Sequence, residues 1–588
     1  MYNKKHSIYQ VFTRLFGNQN TQNTPWGTIE QNGVGKFSDF TNKALTEIRE
    51  LGITHIWYTG VPHHAVINDY KHIGISDDHP SVVKGRAGSP YAVKDYYSVN
   101  PDLADNPAQR LQEFEALIKR SHDNGLKVII DIVPNHIARN YQGLNNPEGV
   151  RDFGDQDDTT VEYHRNNNFY YIPDSTFELP EIEPAFIPLG GEQHPNLASP
   201  FLESPAKWTG NGSRLSKPNF DDWYETVKIN YGVRPDGSKD FPELPNDYAM
   251  RDHLAHYHFW QQVDMPDSWI KFRDIALYWL EKGVDGFRYD MAEMVPVEFW
   301  SYLNSSIKVK NQDAFLMAEV YQPDLYRDYI RMGKMDYLYD KVDLYDGLKA
   351  VMQGKASTAV IPEIQHQMMD IEHHMMHFLD NHDEQRVASP EFVGNPHIAK
   401  PAMLVSALLS SSPTMIYFGQ EVGESGAENA GFGQPSRTSI FDYIGVPQHQ
   451  KWMNGGKFDG GQLNDDEKQL RFFYQQVMTF SLNHSSMTGA YQDLHQSNQL
   501  SDSVYAFLRF DNQELVIAAA NFSQSKTDHI QLKVTAEVIQ KLGIADGSYT
   551  LKEHIEGAQQ QTLYVENGVG YFSAELKPLA AFAWVLTL

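Results

Sequence analysis

The sequence predicts an α/β fold: a (β/α)8 barrel with an inserted domain B after its third strand, followed by a C-terminal antiparallel β-sandwich domain. One observation is a repeated unit in which an amphipathic helix ends at a glycine and a short apolar strand follows. Glycine ends helices readily because it adopts the left-handed conformation at little cost. Strands that are apolar on both faces indicate a parallel sheet covered by helices. A second observation is the change near residue 490 to short strands of alternating pattern, which indicates a separate β domain.

Eight apolar segments, each followed by enough chain for a helix, predict the eight βα units of the barrel. Gly52, Gly125 and Gly283 end the helices before the second, third and fourth of these segments. The segments span residues 7–12, 53–61, 126–136, 284–291, 314–320, 337–344, 374–380 and 414–419. An open doubly wound sheet is the alternative, but no glycine-rich phosphate loop follows the first strand, as the nucleotide-binding version requires.

The inserted domain is predicted from the interval between the third and fourth strands, which is much longer than one helix needs. Residues 137–230 are rich in Asn, Asp, Gly, Pro and Tyr and show little periodicity. We therefore expect the barrel to comprise residues 1–136 and 231–489, the insertion residues 137–230, and the β-sandwich residues 490–588.

Composition excludes several classes of function. The net charge of −27 disfavours a surface that binds nucleic acid, and there is no apolar run of membrane length. Without cysteine, the chain has no disulfides, zinc–thiolate sites or cysteine nucleophile. The N-terminal segment lacks the apolar stretch of a signal peptide, so we expect a cytoplasmic protein if this N-terminus is native. A periplasmic or secreted protein is the alternative if a leader was removed, and the oligomeric state is left open.

Polar residues occur where several barrel strands end, and in this fold the C-terminal strand ends carry the chemistry. These residues are Asp131, Asn135 and His136 on strand three, Arg288 and Asp290 on strand four, Glu319 on strand five, His382 and Asp383 on strand seven, and Gln420 and Glu421 on strand eight. Each one alone is explained as well by a structural role, such as a buried ion pair or a helix cap. That explanation has to hold at several strand ends at once, which favours a shared functional site.

The spacing of Arg288 and Asp290 indicates how a pair of acids is prepared for catalysis. Residues two apart share one face of a strand, and a cation beside a carboxylate favours its ionised form. Asp290 is therefore a candidate nucleophile, whereas Glu319 stays protonated if its surroundings are drier. Two carboxyl groups in opposed environments suit cleavage of a glycosidic bond, with retention of configuration if they lie ~5 Å apart. Asp383 is a third acid, able to bind sugar hydroxyls and stabilise positive charge on the ring.

Four motifs give the chain a resemblance to a known family. DIVPNH (131–136), GFRYD (286–290), AEV (318–320) and FLDNHD (378–383) match, in order, motifs of glycoside hydrolase family 13, the α-amylase family. The flanking segments GITHIWYTGV, YAVKDYYSVNP (91–101) and PTMIYFGQE (413–421) match as well, so the resemblance covers essentially the whole chain. It implies Asp290 as nucleophile, Glu319 as general acid/base and Asp383 as transition-state stabiliser.

The resemblance also implies residues that bind the sugar or support those that do. His136 and His382 would hydrogen-bond the sugar in the −1 subsite, and Tyr91 would be the aromatic platform beneath it. Arg288 would position the nucleophile, and Asp95 would support the loop. The full set of substrate-binding candidates is Tyr91, Asp95, His136, Arg288, His382, Glu293 and Arg386. Arg386 follows the strand-seven motif and could line the same cleft or lie on the surface.

The chain departs from the family pattern after the nucleophile. Many members have Lys-His at the third and fourth positions after it, where this chain has Glu293 and Met294. Glu293 would thus take the place of a sugar contact, and the carbonyl of Met294 that of a calcium ligand. Asn135 matches another calcium ligand of the family, so a structural calcium ion is one expectation, although the chemistry requires no cofactor.

These features favour a retaining hydrolase of the α-glucosidic bonds of starch or maltodextrins. An α-glucan transglycosylase and an exo-α-glucosidase are alternatives within the same chemistry, and a non-catalytic glucan-binding relative is the alternative from another class. Exo-acting α-glucosidases often have an Asp three residues before the platform tyrosine, where this chain has Gly88. This difference favours longer substrate chains, whereas the choice between α-1,4 and α-1,6 linkages stays open.

Overall fold

Eight parallel strands close a barrel in the computed structural model, which describes residues 5–557 and 559–588. The strands are β1 (Ser7–Phe12), β2 (His55–Thr59), β3 (Lys127–Ile132), β4 (Gly286–Tyr289), β5 (Phe315–Ala318), β6 (Tyr337–Tyr339), β7 (Met375–Phe378) and β8 (Thr414–Tyr417). Strands that are consecutive in the sequence are neighbours in the ring, and β8 pairs with β1 to close it. All eight lie within the segments predicted from the sequence, so the barrel prediction is confirmed.

Helices cover the outside of the barrel. The main ones are α1 (Asn42–Glu50), α2 (Arg110–Asp123), α3 (Asp267–Glu281), α4 (Val297–Lys310), α5 (Tyr326–Arg331), α6 (Asp346–Met352), α7 (Val360–Gln367), α8 (Lys400–Leu408) and α9 (Asp465–Asn483). Further α-helices span Thr13–Phe16, Ile29–Asn32, His253–Trp260, Pro447–Met453, His495–Asn498 and Ala536–Lys541. Gly52, Gly125 and Gly283 follow α1, α2 and α3 with φ of 92°, 76° and 100°, the left-handed conformation expected of them. None of the helices in the described part of the chain is both long and apolar enough to span a membrane.

The sixth strand is shorter than the sequence pattern predicts. It ends at Tyr339, and Lys341–Tyr345 form a turn of π-helix instead of extended chain. The side chain of Asp340 caps this turn by accepting a hydrogen bond from Leu344 N at 2.7 Å. An alternating apolar pattern in the sequence does not distinguish a longer strand from this helical turn, because a single capping carboxylate changes the path of the backbone.

The register of the strands brings the polar strand ends to one end of the barrel. Every residue of β1, β4, β5, β7 and β8 is buried, as expected for parallel strands covered by helices. Arg288 of β4 pairs with Asp131 of β3 on one side and with Met317 of β5 on the other. Glu319 directly follows β5, so Asp131, Arg288 and Glu319 lie at neighbouring levels of adjacent strands.

The chain between β3 and α3 forms short strands and turns beyond the end of β3. Three antiparallel pairs join His136–Ala138 with Thr226–Lys228, Tyr171–Ile172 with Ala206–Lys207 and, after β2, Pro62–His64 with Val93–Val99. Because His136 follows β3 after only a short link, the first pair attaches the returning chain to the C-terminal end of the barrel. The domain limits at residues 136, 230 and 489 stay a prediction.

Eight antiparallel strands form the C-terminal part of the chain. They are β9 (Ala490–Asp493), β10 (Val504–Phe510), β11 (Glu514–Asn521), β12 (Asp528–Val534), β13 (Gly547–Glu553), β14 (Gln560–Glu566), β15 (Val569–Leu576) and β16 (Ala581–Thr587). Their hydrogen bonds join them into one sheet in the order β9-β10-β11-β16-β13-β14-β15-β12. Apolar residues of β10 to β16 form one cluster, so the sheet curves around a single core. The predicted antiparallel β domain is confirmed, but β9 and β13 are absent from the strands predicted from the sequence.

Candidate active site

One buried arginine holds acidic side chains together at the C-terminal end of the barrel. Arg288 is fully buried on β4. Its Nη1 donates to Asp290 Oδ1 at 2.8 Å and its Nη2 donates to Glu319 Oε2 at 3.1 Å. Asp131 Oδ1 lies 3.4 Å from Nη1, and the hydroxyl of Tyr339 accepts a bond from Nε at 3.1 Å. Because a guanidinium is planar and its donors form a rigid fork, these contacts fix Asp290 and Glu319 relative to each other.

Asp290 is the first residue after β4 and is only 6% exposed. Its N–H donates to Ile132 O on the adjacent β3 at 3.1 Å. His136 Nε2 lies 3.9 Å from Asp290 Oδ2, so the predicted sugar-binding histidine borders the same carboxylate. Burial raises the pKa of Asp290 above its ordinary value, while the charge and the hydrogen bond of Arg288 oppose that rise. Arg288 is thus the group that favours the ionised form a nucleophile requires.

Glu319 has the environment of a group that gives and takes a proton. It is 5% exposed, and burial raises its pKa to about 7, although the charge of Arg288 acts in the opposite direction. The backbone N–H of Met291 donates to Glu319 Oε2 at 2.9 Å, on the same oxygen as Arg288. Oε1 is therefore the oxygen available to carry the proton. A pKa near the working pH is what an acid/base catalyst needs.

A histidine holds the third acid. His382 Nε2 lies 3.1 Å from Asp383 Oδ2 and hydrogen-bonds the hydroxyl of Tyr91, whose ring centroid is 5.3 Å from that of the imidazole. Gln10 Nε2 donates to His382 Nδ1 at 2.8 Å, so Nε2 carries the ring hydrogen towards Asp383. Burial disfavours the charge of Asp383, but His382 and Arg288 outweigh it and lower the pKa to about 2. Asp383 is therefore ionised at neutral pH.

Several residues of the site carry no signal in the sequence. Trp57 Nε1 donates to Asp131 Oδ2 at 2.8 Å, and its ring lies under Arg288, 5.2 Å from the guanidinium carbon. Trp57 is part of an apolar strand motif, which predicts packing and nothing more. Arg437 lies exposed in the loop after β8, and its positive charge favours ionised Asp383. That loop has no periodicity or motif from which its position could be inferred.

Arg386 does not line the cleft, and that prediction is wrong. The residue is fully buried, its Nη1 lies 3.4 Å from Asp380 Oδ2, and its Nε donates to Thr438 Oγ1 at 2.9 Å. Its guanidinium also packs over the ring of Tyr417, 4.1 Å from the centroid. Arg386 therefore forms a buried ion pair within the segment after β7 and joins that segment to the one after β8 through the hydrogen bond to Thr438.

Asp95 supports a loop and offers no surface to a sugar. It is fully buried, and its carboxylate accepts hydrogen bonds from Tyr97 N at 2.9 Å and from Leu144 N at 3.0 Å. The second bond reaches the chain that follows β3. The supporting role implied by the family resemblance fits this geometry, whereas its place among the substrate-binding candidates does not.

Glu293 anchors the chain that follows Glu319. Its Oε2 accepts hydrogen bonds from Tyr321 N at 2.8 Å and from Gln322 N at 3.0 Å. The side chain is half-buried, so part of it can still face a ligand. A direct contact of Glu293 with sugar stays a prediction.

The residues expected to hold calcium do not fit that ion. Asn135 Oδ1 and the carbonyl of Met294 both accept hydrogen bonds from Lys228 Nζ, the second at 3.1 Å. Calcium takes roughly six to eight oxygen ligands, with carboxylates among them. Residues 5–557 and 559–588 contain no group of three or more His, Cys, Asp or Glu side chains suited to a metal ion. Burial lowers the pKa of Lys228 to about 7, and its amino group lies where the resemblance places the ion.

Comparisons with known proteins agree with this site. The family model described as "Alpha amylase, catalytic domain" matches residues 10–210 and 259–457. Neopullulanase 2 of Thermoactinomyces vulgaris is 22% identical over 553 residues, which cover 90% of this chain and 71% of that protein. A cyclomaltodextrinase of a Bacillus species is 20% identical over 542 residues, 87% of this chain and 72% of that protein.

A solved structure extends the similarity to the complete fold. The crystal structure of a maltogenic α-amylase from Thermotoga neapolitana aligns over 100% of both chains, with a TM-score of 0.59 and 17% identity. At that identity the likeness concerns the fold, while the family match concerns the barrel and the strand ends that carry the acids. The chain therefore belongs to the α-amylase family of glycoside hydrolases, and the retaining mechanism general to that family is the one its site has to perform.

Proposed function

We propose that this enzyme hydrolyses internal α-glucosidic bonds of maltooligosaccharides and starch, with Asp290 as nucleophile, Glu319 as acid/base and Asp383 as the stabilising acid. The main support is the fork of Arg288, whose two terminal nitrogens bond Asp290 and Glu319. Retaining glycosidases hold their carboxyl groups ~5–5.5 Å apart, and inverting ones ~6.5–9.5 Å apart. Two carboxyl groups bonded to the ends of one guanidinium favour the shorter separation.

The reaction takes two displacements at the anomeric carbon. First, a carboxylate oxygen of Asp290 forms a bond to that carbon, the glycosidic C–O bond breaks, and the proton of Glu319 passes to the leaving oxygen. A water molecule then gives a proton to the Glu319 carboxylate, and its oxygen bonds to the anomeric carbon. The bond to Asp290 breaks, and both acids return to their starting protonation states.

The other residues serve the charge that develops on the sugar ring. Asp383 is ionised at neutral pH and lies with His382 beside the nucleophile's arginine. Burial lowers the pKa of His136 to about 3, so this histidine is a neutral hydrogen-bonding group next to Asp290. The ring of Tyr91 is partly exposed and offers an apolar face on which a sugar can pack.

Gly88 supports cleavage within a chain over removal of terminal glucose. Its φ is 78°, and a Cβ atom at this position would lie 2.1 Å from Ala65 O. An aspartate of the kind expected in exo-acting α-glucosidases is therefore excluded here by the backbone itself. The names of the relatives, neopullulanase and cyclomaltodextrinase, agree with α-glucan substrates.

The test is product analysis on maltoheptaose, pullulan and a cyclomaltodextrin, with NMR of the anomeric protons at early times. We expect short maltooligosaccharides that appear first as the α-anomer, and none of them from Asp290→Asn. Products longer than the substrate would mean that the enzyme is a transglycosylase and not a hydrolase. Glucose as the sole early product would mean that the enzyme removes terminal glucose and does not cleave within the chain. An initial β-anomer would refute the retaining mechanism.

A further inference from the structure

Lys228 joins three segments around the nucleophile. It ends the short strand Thr226–Lys228 and pairs across the sheet with His136. Its Nζ donates to the side-chain oxygen of Asn135, just beyond β3, and to the carbonyl of Met294, in the turn after Asp290. One amino group therefore connects the end of β3, the chain returning from the insertion, and the loop that follows the nucleophile.

The oxygens around Lys228 are arranged for a cation with a single charge. The amide of Asn135 is oriented by its own donor, since Nδ2 bonds Gly210 O at 2.8 Å, and this leaves Oδ1 for the lysine. Both acceptors are neutral oxygens, and no ion pair between Lys228 and a carboxylate occurs in residues 5–557 and 559–588. A divalent calcium ion would need several more oxygen ligands, including charged ones. An ammonium group has three donors and is satisfied by fewer acceptors.

We propose that the ammonium group of Lys228 replaces the calcium ion expected at this junction and positions the catalytic acids without a metal. The connection to the acids is short. Met294 N donates to Met291 O at 3.0 Å, and Met291 N in turn donates to Glu319 Oε2 at 2.9 Å. Met291 also has a left-handed backbone with φ of 44°, which needs support from its surroundings. Lys228 is thus a positioning residue that acts through the turn at residues 291–294, whichever α-glucosidic bond the enzyme cleaves.

The first test measures metal dependence on the full chain. The melting temperature is recorded in EDTA and in millimolar calcium chloride, and the metal content of the gel-filtered protein is measured by mass spectrometry. We expect the same melting temperature in both solutions and no stoichiometric calcium. Stoichiometric calcium together with a melting temperature that falls in EDTA and is restored by calcium would overturn the proposal. Neither readout depends on which substrate the enzyme takes.

The second test removes the amino group. Lys228→Met keeps the aliphatic chain, and Lys228→Ala opens space for an added cation. The control is Lys207→Ala, since Lys207 is a half-buried lysine on another short strand of the same insertion, 3.9 Å from Glu203. Both Lys228 variants should lose ~10²-fold in kcat with a smaller change in KM, which is the size expected when reacting groups are misplaced by about 1 Å. The control should stay within about twofold of the parent.

Rescue distinguishes a cation site from simple packing. Added ethylammonium, and not calcium, should restore part of the kcat and melting temperature of Lys228→Ala, and should change neither quantity in the control. A kcat in Lys228→Met equal to that of the control would overturn the proposal. So would a loss of stability in Lys228→Ala that leaves kcat intact and does not respond to ethylammonium, because Lys228 would then be a packing residue.

Discussion

Glu319→Gln is expected to make the folded protein more stable at pH 8 while it removes the proposed acid/base catalyst. Burial raises the pKa of Glu319 from 4.5 to about 7. A carboxyl group that binds its proton more tightly in the folded state contributes stability that is complete below the unfolded pKa. That contribution is lost as the pH rises through the folded pKa, so stability falls over the range from about pH 4.5 to about pH 7. A tenfold change in proton affinity corresponds to ~1.4 kcal/mol, which makes the effect at most about 3 kcal/mol.

Urea unfolding of parent and variant at pH 5 and pH 8 measures this difference. Glutamine is the neutral isostere of protonated Glu319, so the two proteins should have similar free energies of unfolding at pH 5, and the variant should be the more stable at pH 8. Glu298→Gln is the control, because Glu298 is a buried carboxylate paired with Lys239 at 2.6 Å. Loss of the Glu298 charge should not increase the free energy of unfolding at pH 8. A parent–variant difference for Glu319→Gln that is equal at both pH values would refute the reasoning.

Three further predictions concern the neighbourhood of the acids. The kcat/KM on maltoheptaose should fall about tenfold per pH unit above roughly pH 7, because Glu319 loses the proton that it gives to the leaving oxygen. An aryl glycoside with a good leaving group needs that proton less, so its kcat/KM should fall less steeply. A flat pH profile of kcat/KM up to pH 9 would contradict this prediction. Arg288→Lys should lower kcat by ~10³-fold, since lysine lacks the fork and two charge-assisted bonds of ~1.5–3 kcal/mol each are disturbed; steady-state kinetics showing parental kcat would be inconsistent with the role of the arginine. Gly88→Ala should lower the free energy of unfolding by ~2 kcal/mol or more, because the new Cβ would lie 2.1 Å from Ala65 O. Gly74 has a similar φ of 87° but open space around it, so Gly74→Ala should cost less. Equal losses of stability in thermal melts of the two variants would rule out the close contact as the cause.

The barrel could be predicted because its physical requirements leave marks on neighbouring residues. Strands buried on both faces require apolar runs, and Gly52, Gly125 and Gly283 have the positive φ that ends helices. The proposed catalytic acids are visible in the sequence as charged residues at the ends of such runs. The family motifs then supplied roles that spacing alone leaves open.

The features that the sequence does not predict depend on contacts between residues far apart in the chain. Arg386 is fully buried because Asp380 pairs with it and Thr438, 52 residues away, accepts a hydrogen bond from it. The sequence does not show that this second contact forms. Lys228 lies in a segment without periodicity, and its partners are 93 and 66 residues away. Neither contact has a local signature.

The most direct test of the account is to trap the sugar on the enzyme. Incubation with a 5-fluoro-α-maltosyl fluoride, which forms the covalent species faster than water removes it, is followed by peptide mapping with mass spectrometry. We predict one maltosyl-derived adduct on the carboxylate of Asp290, absent from Asp290→Asn. An adduct on Glu319 or Asp383, with Asp290 unmodified, would contradict the assignment on which the mechanism rests.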